Sequence, residues 1–162
     1  MTSASFLGAQ ILYFLLGALC LVEYLRYRDR PRLFVALTFG AFAGFILTQD
    51  LLAVGVQHPL LTAANRLLLL AHPLLLVYLV NFIVPVARWL LRLALGGFVV
   101  LAALVVLLPP ALVNLGGLLI LAYFIIFEAY AALATVRGVR QTVGVPRRRL
   151  MLAAAGSAAL AA

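Results

Sequence analysis

The sequence predicts an all-α, polytopic transmembrane bundle with five complete spans, a truncated sixth and an N-terminus outside the membrane. Two observations carry this expectation. Hydrophobic residues make up 67% of the chain and charged residues only 10%, far from the proportions of a soluble domain. There are twelve basic residues, all of them arginine, and eleven fall in three clusters: Arg26 to Arg32, Arg88 to Arg92 and Arg137 to Arg149. The apolar stretches between clusters are long enough for helices of the roughly 20 residues that a hydrocarbon core requires.

The elements follow in order. The first span is expected over about Phe6 to Leu25, stopped by the run Arg26-Tyr27-Arg28-Asp29-Arg30-Pro31-Arg32. Met1 to Gln10 contain no basic residue, so the segment lacks the charged start of a signal peptide and reads as a mature helix. The second span is expected from Leu33 to Val56, with His58-Pro59 and Thr62 to Asn65 forming a short connection. The third runs from Arg66 to Val86 and ends at Arg88-Trp89-Leu90-Leu91-Arg92, where Trp89 suits the membrane interface. The fourth covers Leu93 to Leu108, broken by Pro109-Pro110, with a tight reversal over Asn114 to Gly117. The fifth covers Leu118 to Val136. A sixth apolar run opens at Leu150 and reaches Ala162, too short to cross alone. Residues 1–162 therefore read as one transmembrane domain, the N-terminal part of a longer chain.

Orientation comes from the charges. Loops one, three and five hold eleven arginines, whereas loops two and four hold only Arg66. Basic loops stay in the cytoplasm, so the reading is a multi-pass protein of a bacterial inner membrane. Arginine without lysine hints at a GC-rich bacterial genome. The net charge of +8 fits contact with anionic lipid headgroups better than nucleic acid, because the basic loops are short and flank apolar spans.

Polar groups in hydrocarbon are costly, and each needs an account. Glu128 lies well inside the fifth span, with Phe124 one turn before it and Tyr123, Phe127 and Tyr130 nearby at helical spacing. It is either a proton-responsive or ligand-facing carboxylate, or a carboxyl bonded to a neighbouring helix, for instance to a tyrosine. Asp50 and Arg66 flank the second loop and are expected to pair or to line an outward pocket. His58 and His72 both precede proline and read as close to the outer side. They are weak candidates for holding haem or another metal; a satisfied or pocket-lining histidine is the simpler reading. Pro73 is a site for a kink or cavity, Asn81 an interhelical hydrogen-bonding residue, and Glu23 a partner for Arg26. Cys20, the single cysteine, is a packing residue. Ala36, Gly40 and Gly44 share one helix face, suited to close packing within the chain or in a homodimer, and Ala153 to Ala159 form a similar face.

Several chemistries find no support. A retinal Schiff base needs lysine. No phosphate-binding glycine loop, nucleophile elbow or His-Glu-x-x-His motif occurs, and the four acidic residues are scattered. No catalytic set emerges from these residues.

The second span closes with Leu47-Thr48-Gln49-Asp50-Leu51-Leu52, and the third carries Ala71-His72-Pro73-Leu74-Leu75-Leu76 with Phe82. This arrangement resembles the N-terminal seven-helix sensor region of bacterial histidine kinases. In that family the second helix often ends in an acidic residue and the third has a proline near its middle. The resemblance covers essentially the whole chain. It implies a sensory module without catalysis of its own, passing a helix rearrangement to a cytoplasmic kinase domain beyond Ala162. An unidentified small-molecule ligand would then sit among Asp50, His58, Arg66, His72, Tyr123 and Glu128. Two rival readings stay open. One is an accessory subunit of a membrane complex; the other is a haem- or quinone-binding electron-transfer protein.

Overall fold

A computed structural model describes residues 3–107 and 113–141. Among these residues the chain forms five helices and no strand: α1 (Ser3–Tyr27), α2 (Arg30–Ala53), α3 (Pro59–Asn81), α4 (Arg88–Leu107) and α5 (Val113–Gln141). All five contain a segment long and apolar enough to cross a membrane. The expected sixth run, the Ala153 to Ala159 face, the Pro109-Pro110 break and the basic run Arg147 to Arg149 lie outside the described residues.

The turns show why the helices begin and end where they do. Arg28 adopts a left-handed φ of 52°, and the Asp29 carboxylate accepts a 2.9 Å hydrogen bond from the Arg32 backbone N–H. Asp29 thus caps α2, with Pro31 in the first turn, where its missing N–H is harmless. At the far end of α2, Gly55 has φ 91°. The bonds Val56 N–H to Leu51 O and Gly55 N–H to Leu52 O form a Schellman closure, which favours glycine at this position. His58 then caps α3: its Nδ1 accepts from the Leu60 N–H at 3.2 Å.

Three expected boundaries shift. α3 starts at Pro59 rather than Arg66, since proline fits a first helical turn and a capping side chain precedes it. Thr62 to Asn65 are therefore helical, not a connection. α4 starts at Arg88, so its two arginines occupy the first turns of a helix rather than a loop. α5 already runs through Asn114 to Gly117, where a reversal was expected. Glycine is tolerated in membrane helices, where an unsatisfied backbone is the greater penalty.

α3 is the hub. It packs against α2, α4 and α5, while α1 packs on α2 alone and α4 also meets α5. The core lies between α3, α4 and α5, built from residues such as Leu70, Val77, Ala94, Tyr123, Phe127 and Ala131. Large apolar side chains cover much of the exterior of α1, α4 and α5, as expected where lipid replaces water. α3 and α5 run parallel: His72 meets Glu128, and a β-carbon at Gly138 would fall 2.6 Å from Val84. The arginines of the α1–α2 turn, of the α4 start and of the α5 end consequently share one end of the bundle. Phe34 stacking on Tyr78 and touching Phe82, with ring centroids 5.7 and 5.5 Å apart, joins the start of α2 to the end of α3 there.

The small-residue face of α2 is used unevenly. A β-carbon at Gly44 would lie 3.2 Å from Leu68 of α3, whereas one at Gly40 would meet nothing within 4 Å. Ala36 is buried. On α4, a β-carbon at Gly97 would lie 3.1 Å from the Tyr123 ring, while Gly96 is open. Gly97→Leu should therefore overpack the α4–α5 contact and cost about 1–3 kcal/mol. Gly96→Leu should stay within about 0.5 kcal/mol of the parent. Equilibrium unfolding from mild detergent into dodecyl sulfate distinguishes them.

Candidate functional site: a buried histidine–glutamate pair

His72 and Glu128 are both buried and stand near the middle of α3 and α5. His72 Nε2 approaches Glu128 Oε1 to 3.0 Å. The other ring nitrogen, Nδ1, lies 3.2 Å from the Thr38 carbonyl oxygen on α2. A carbonyl only accepts, so Nδ1 carries the hydrogen. Nε2 and Oε1 then need one proton between them. The pair is either imidazolium with carboxylate or imidazole with carboxylic acid, and both forms are neutral overall. That neutrality makes the pair tolerable at mid-membrane depth, where a lone acidic charge costs about 2.5–3.5 kcal/mol on the insertion scale.

The contact is close but oblique. Oε1 is within ion-pair range of Nε2, yet it is buried without a well-directed hydrogen bond. A small rotation of α5 against α3 would align the pair or break it. Pro73, fully buried, follows His72 directly. Its absent N–H leaves the Leu69 carbonyl without the usual helical donor, while α3 runs on unbroken.

Aromatic rings enclose the imidazole. Phe42 of α2 lies 5.0 Å from it, centroid to centroid, and Phe124 of α5 lies 6.1 Å away, nearly parallel. Tyr13 of α1 packs edge-on against Phe42 at 4.9 Å and is within electrostatic reach of Glu128. Three features of this site escaped the sequence reading: the Thr38 carbonyl, the Phe42 ring and Tyr13. A backbone carbonyl leaves no signature in a sequence. Thr38 itself only donates to the Phe34 carbonyl in its own helix, at 2.7 Å.

The other candidate residues separate from this pair. Tyr123 is buried, but its hydroxyl donates to the Ala94 carbonyl on α4 at 3.0 Å, so it ties α4 to α5. Asp50 does not pair with Arg66; Gln10 Nε2 of α1 lies 3.0 Å from each of its carboxylate oxygens. Arg66 sits two turns inside α3 and has no ion pair among the described residues. His58 is an exposed helix cap. At 1.5 Å per residue, His58 and His72 are about 21 Å apart along α3, so one chain does not bring them to a common metal. His72 is also deeper than expected, because α3 starts earlier than the sequence suggested.

Two further expectations are corrected. Asn81 does not bridge helices; its Oδ1 accepts from the Val86 N–H at 2.9 Å and shapes the α3–α4 turn. Glu23 lies 3.6 Å from Arg32 rather than pairing with Arg26. Asn65, like Gln10, is an interhelical amide: it donates to Thr48 Oγ1 at 2.9 Å and to the Phe45 carbonyl at 3.1 Å. Comparison with protein-family models, curated proteins and solved structures found no match.

Interhelical hydrogen bonds inside membranes couple by about 0.6 kcal/mol on average and up to about 1.7. A buried ionisable pair belongs at the upper end. The cycle His72→Leu, Glu128→Leu and the double variant should give a coupling of about 1.5 kcal/mol in unfolding free energy. The double variant should be more stable than Glu128→Leu, which strands the histidine. Additive single effects would show that the two side chains are merely neighbours.

Proposed function

We propose that this chain is the membrane-embedded sensory module of a bacterial histidine kinase. In this reading it lies in the inner membrane, with its N-terminus outside and its arginine-bearing end in the cytoplasm. The observation that carries the reading is the oblique His72–Glu128 contact between α3 and α5, placed beside a proline inside α3. In this reading the contact has a second nearby arrangement, which is what a two-state transducer requires.

The signal is a small ligand or a change in the membrane itself. A ligand would enter from the outer end, where Asp50, His58 and Arg66 stand, and would bias how α5 rests on α3. It shifts the equilibrium only by its differential affinity for the two packings. A coupling of about 1.5 kcal/mol corresponds to roughly a tenfold shift in population. A complete reversal from 1:99 to 99:1 needs about 5.5 kcal/mol, so ligand contacts must supply the larger share. The change leaves the membrane at the C-terminal end of α5, which packs at Gly138 against Val84 beyond α3.

Pulsed spin-label distances test the transducer. With Cys20 replaced by Ala and labels at Leu25 and Arg137, the chain in lipid nanodiscs should show two distance populations. Glu128→Gln should change their ratio by about tenfold. A single distance distribution, identical in parent and variant, would reject the two-state reading. Reading the gene past Ala162 tests the kinase assignment separately: an encoded ATP-binding output region supports it, and an early stop codon rejects it. A membrane-impermeant thiol reagent on intact cells should modify Gln57→Cys and spare Tyr27→Cys.

A further inference from the structure

We propose that the groove between α1, α2 and α3 binds one anionic phospholipid. One acyl chain lies along the open Gly40 face, and the headgroup rests on Arg28 and Arg30 at the α1–α2 turn. The groove has a volume of about 690 Å³ and an almost wholly apolar lining that includes Phe14, Tyr24, Leu33, Gly40, Leu68 and Leu75. Its length follows from the residues on its walls. From Tyr24 to Phe14 on α1 and from Leu33 to Ala43 on α2 there are ten residues, or about 15 Å. That is half of the roughly 30 Å hydrocarbon thickness. The groove therefore spans one leaflet and opens beside the α1–α2 turn.

Charge selects the headgroup. Arg32 is already neutralised: it lies 2.7 Å from Asp29 and 3.6 Å from Glu23, with its guanidinium 3.9 Å from the Tyr27 ring centre. Arg26, Arg28 and Arg30 are exposed and have no acidic partner among the described residues. A phosphate at this level supplies the missing charge. A second copy of the chain fits less well. A membrane dimer related by a two-fold axis along the bilayer normal would place the same arginines at the same level, like charge beside like charge. At Gly40 a β-carbon would meet nothing within 4 Å, so a side chain added there starts into the groove without a clash at its first atom.

Native mass spectrometry of the detergent-solubilised chain, titrated with dioleoyl phosphatidylglycerol or dioleoyl phosphatidylcholine, tests the site. The parent should retain one phosphatidylglycerol in preference to phosphatidylcholine. Arg28→Gln with Arg30→Gln should lower that preference by about fivefold per arginine, without touching the packing. Gly40→Phe should reduce retention of both lipids at least about tenfold, whereas Gly96→Phe, equally open but on α4, should not. Equal retention of the two lipids by the parent, or an unchanged preference in the arginine variant, overturns the proposal. So does a lipid-free parent dimer that Gly40→Phe disperses, because the groove would then hold a second copy. The outcome is independent of the sensory reading, which rests on α3 and α5.

Discussion

A histidine and a glutamate meet at 3.0 Å in the apolar middle of this bundle, where α5 rests on α3. In a bilayer the hydrophobic effect does not hold helices together, because lipid chains are as apolar as leucine side chains. Close packing and polar ties must set the arrangement. The ties are distributed economically. Gln10 to Asp50 joins α1 to α2, and Asn65 with His72 joins α3 to α2. Tyr123 to Ala94 joins α5 to α4, and His72 to Glu128 joins α3 to α5. The α3–α4 pair is fixed through its turn, by Asn81 and Val86. Among these, the His72–Glu128 tie is the one formed by two ionisable side chains and the one with poor alignment.

The two ends of the bundle manage charge differently. At the arginine end, Asp29 caps a helix and binds Arg32 at once, and Glu23 supports the same guanidinium. Arg26, Arg28, Arg30, Arg88, Arg92 and Arg137 are exposed, where snorkelling to the interface is cheap. At the other end Asp50 is held by a neutral amide, and Arg66 has no ion pair among the described residues. Attraction between opposite charges thus does not organise that end. Among the described residues, hydrogen bonds from Gln10 and Asn65 do.

The helices were legible because apolar length and arginine placement act locally, and each span can be read without knowing its neighbours. The boundaries were less so. Pro59 looked like a break, yet proline both ends and begins helices, and only the His58 cap decides which. The Asn114 to Gly117 run looked like a turn by the rules of water-soluble chains, which do not govern backbone in lipid. The site was half legible. Glu128 and His72 stood out singly, because ionisable groups are rare at that depth. Their pairing did not, since starting α3 at Arg66 put His72 two turns too near the surface. Once α3 begins at Pro59, His72 and Glu128 fall at similar depth in two parallel helices. Asp50 went the other way: its charge suggested Arg66, and its partner proved to be a neutral glutamine from α1.

Why the tie between α3 and α5 is a histidine–glutamate pair, rather than an amide or hydroxyl like the others, follows from its proton. An amide tie such as Asn65 to Thr48 has one satisfied arrangement, and any departure strands a donor in hydrocarbon. The imidazole–carboxyl pair has two arrangements, with the proton on nitrogen or on oxygen, and neither carries net charge. The Thr38 carbonyl can only accept, so it holds the Nδ1 hydrogen in place. With one ring nitrogen settled by α2, the whole freedom of the pair is concentrated in the 3.0 Å gap facing α5.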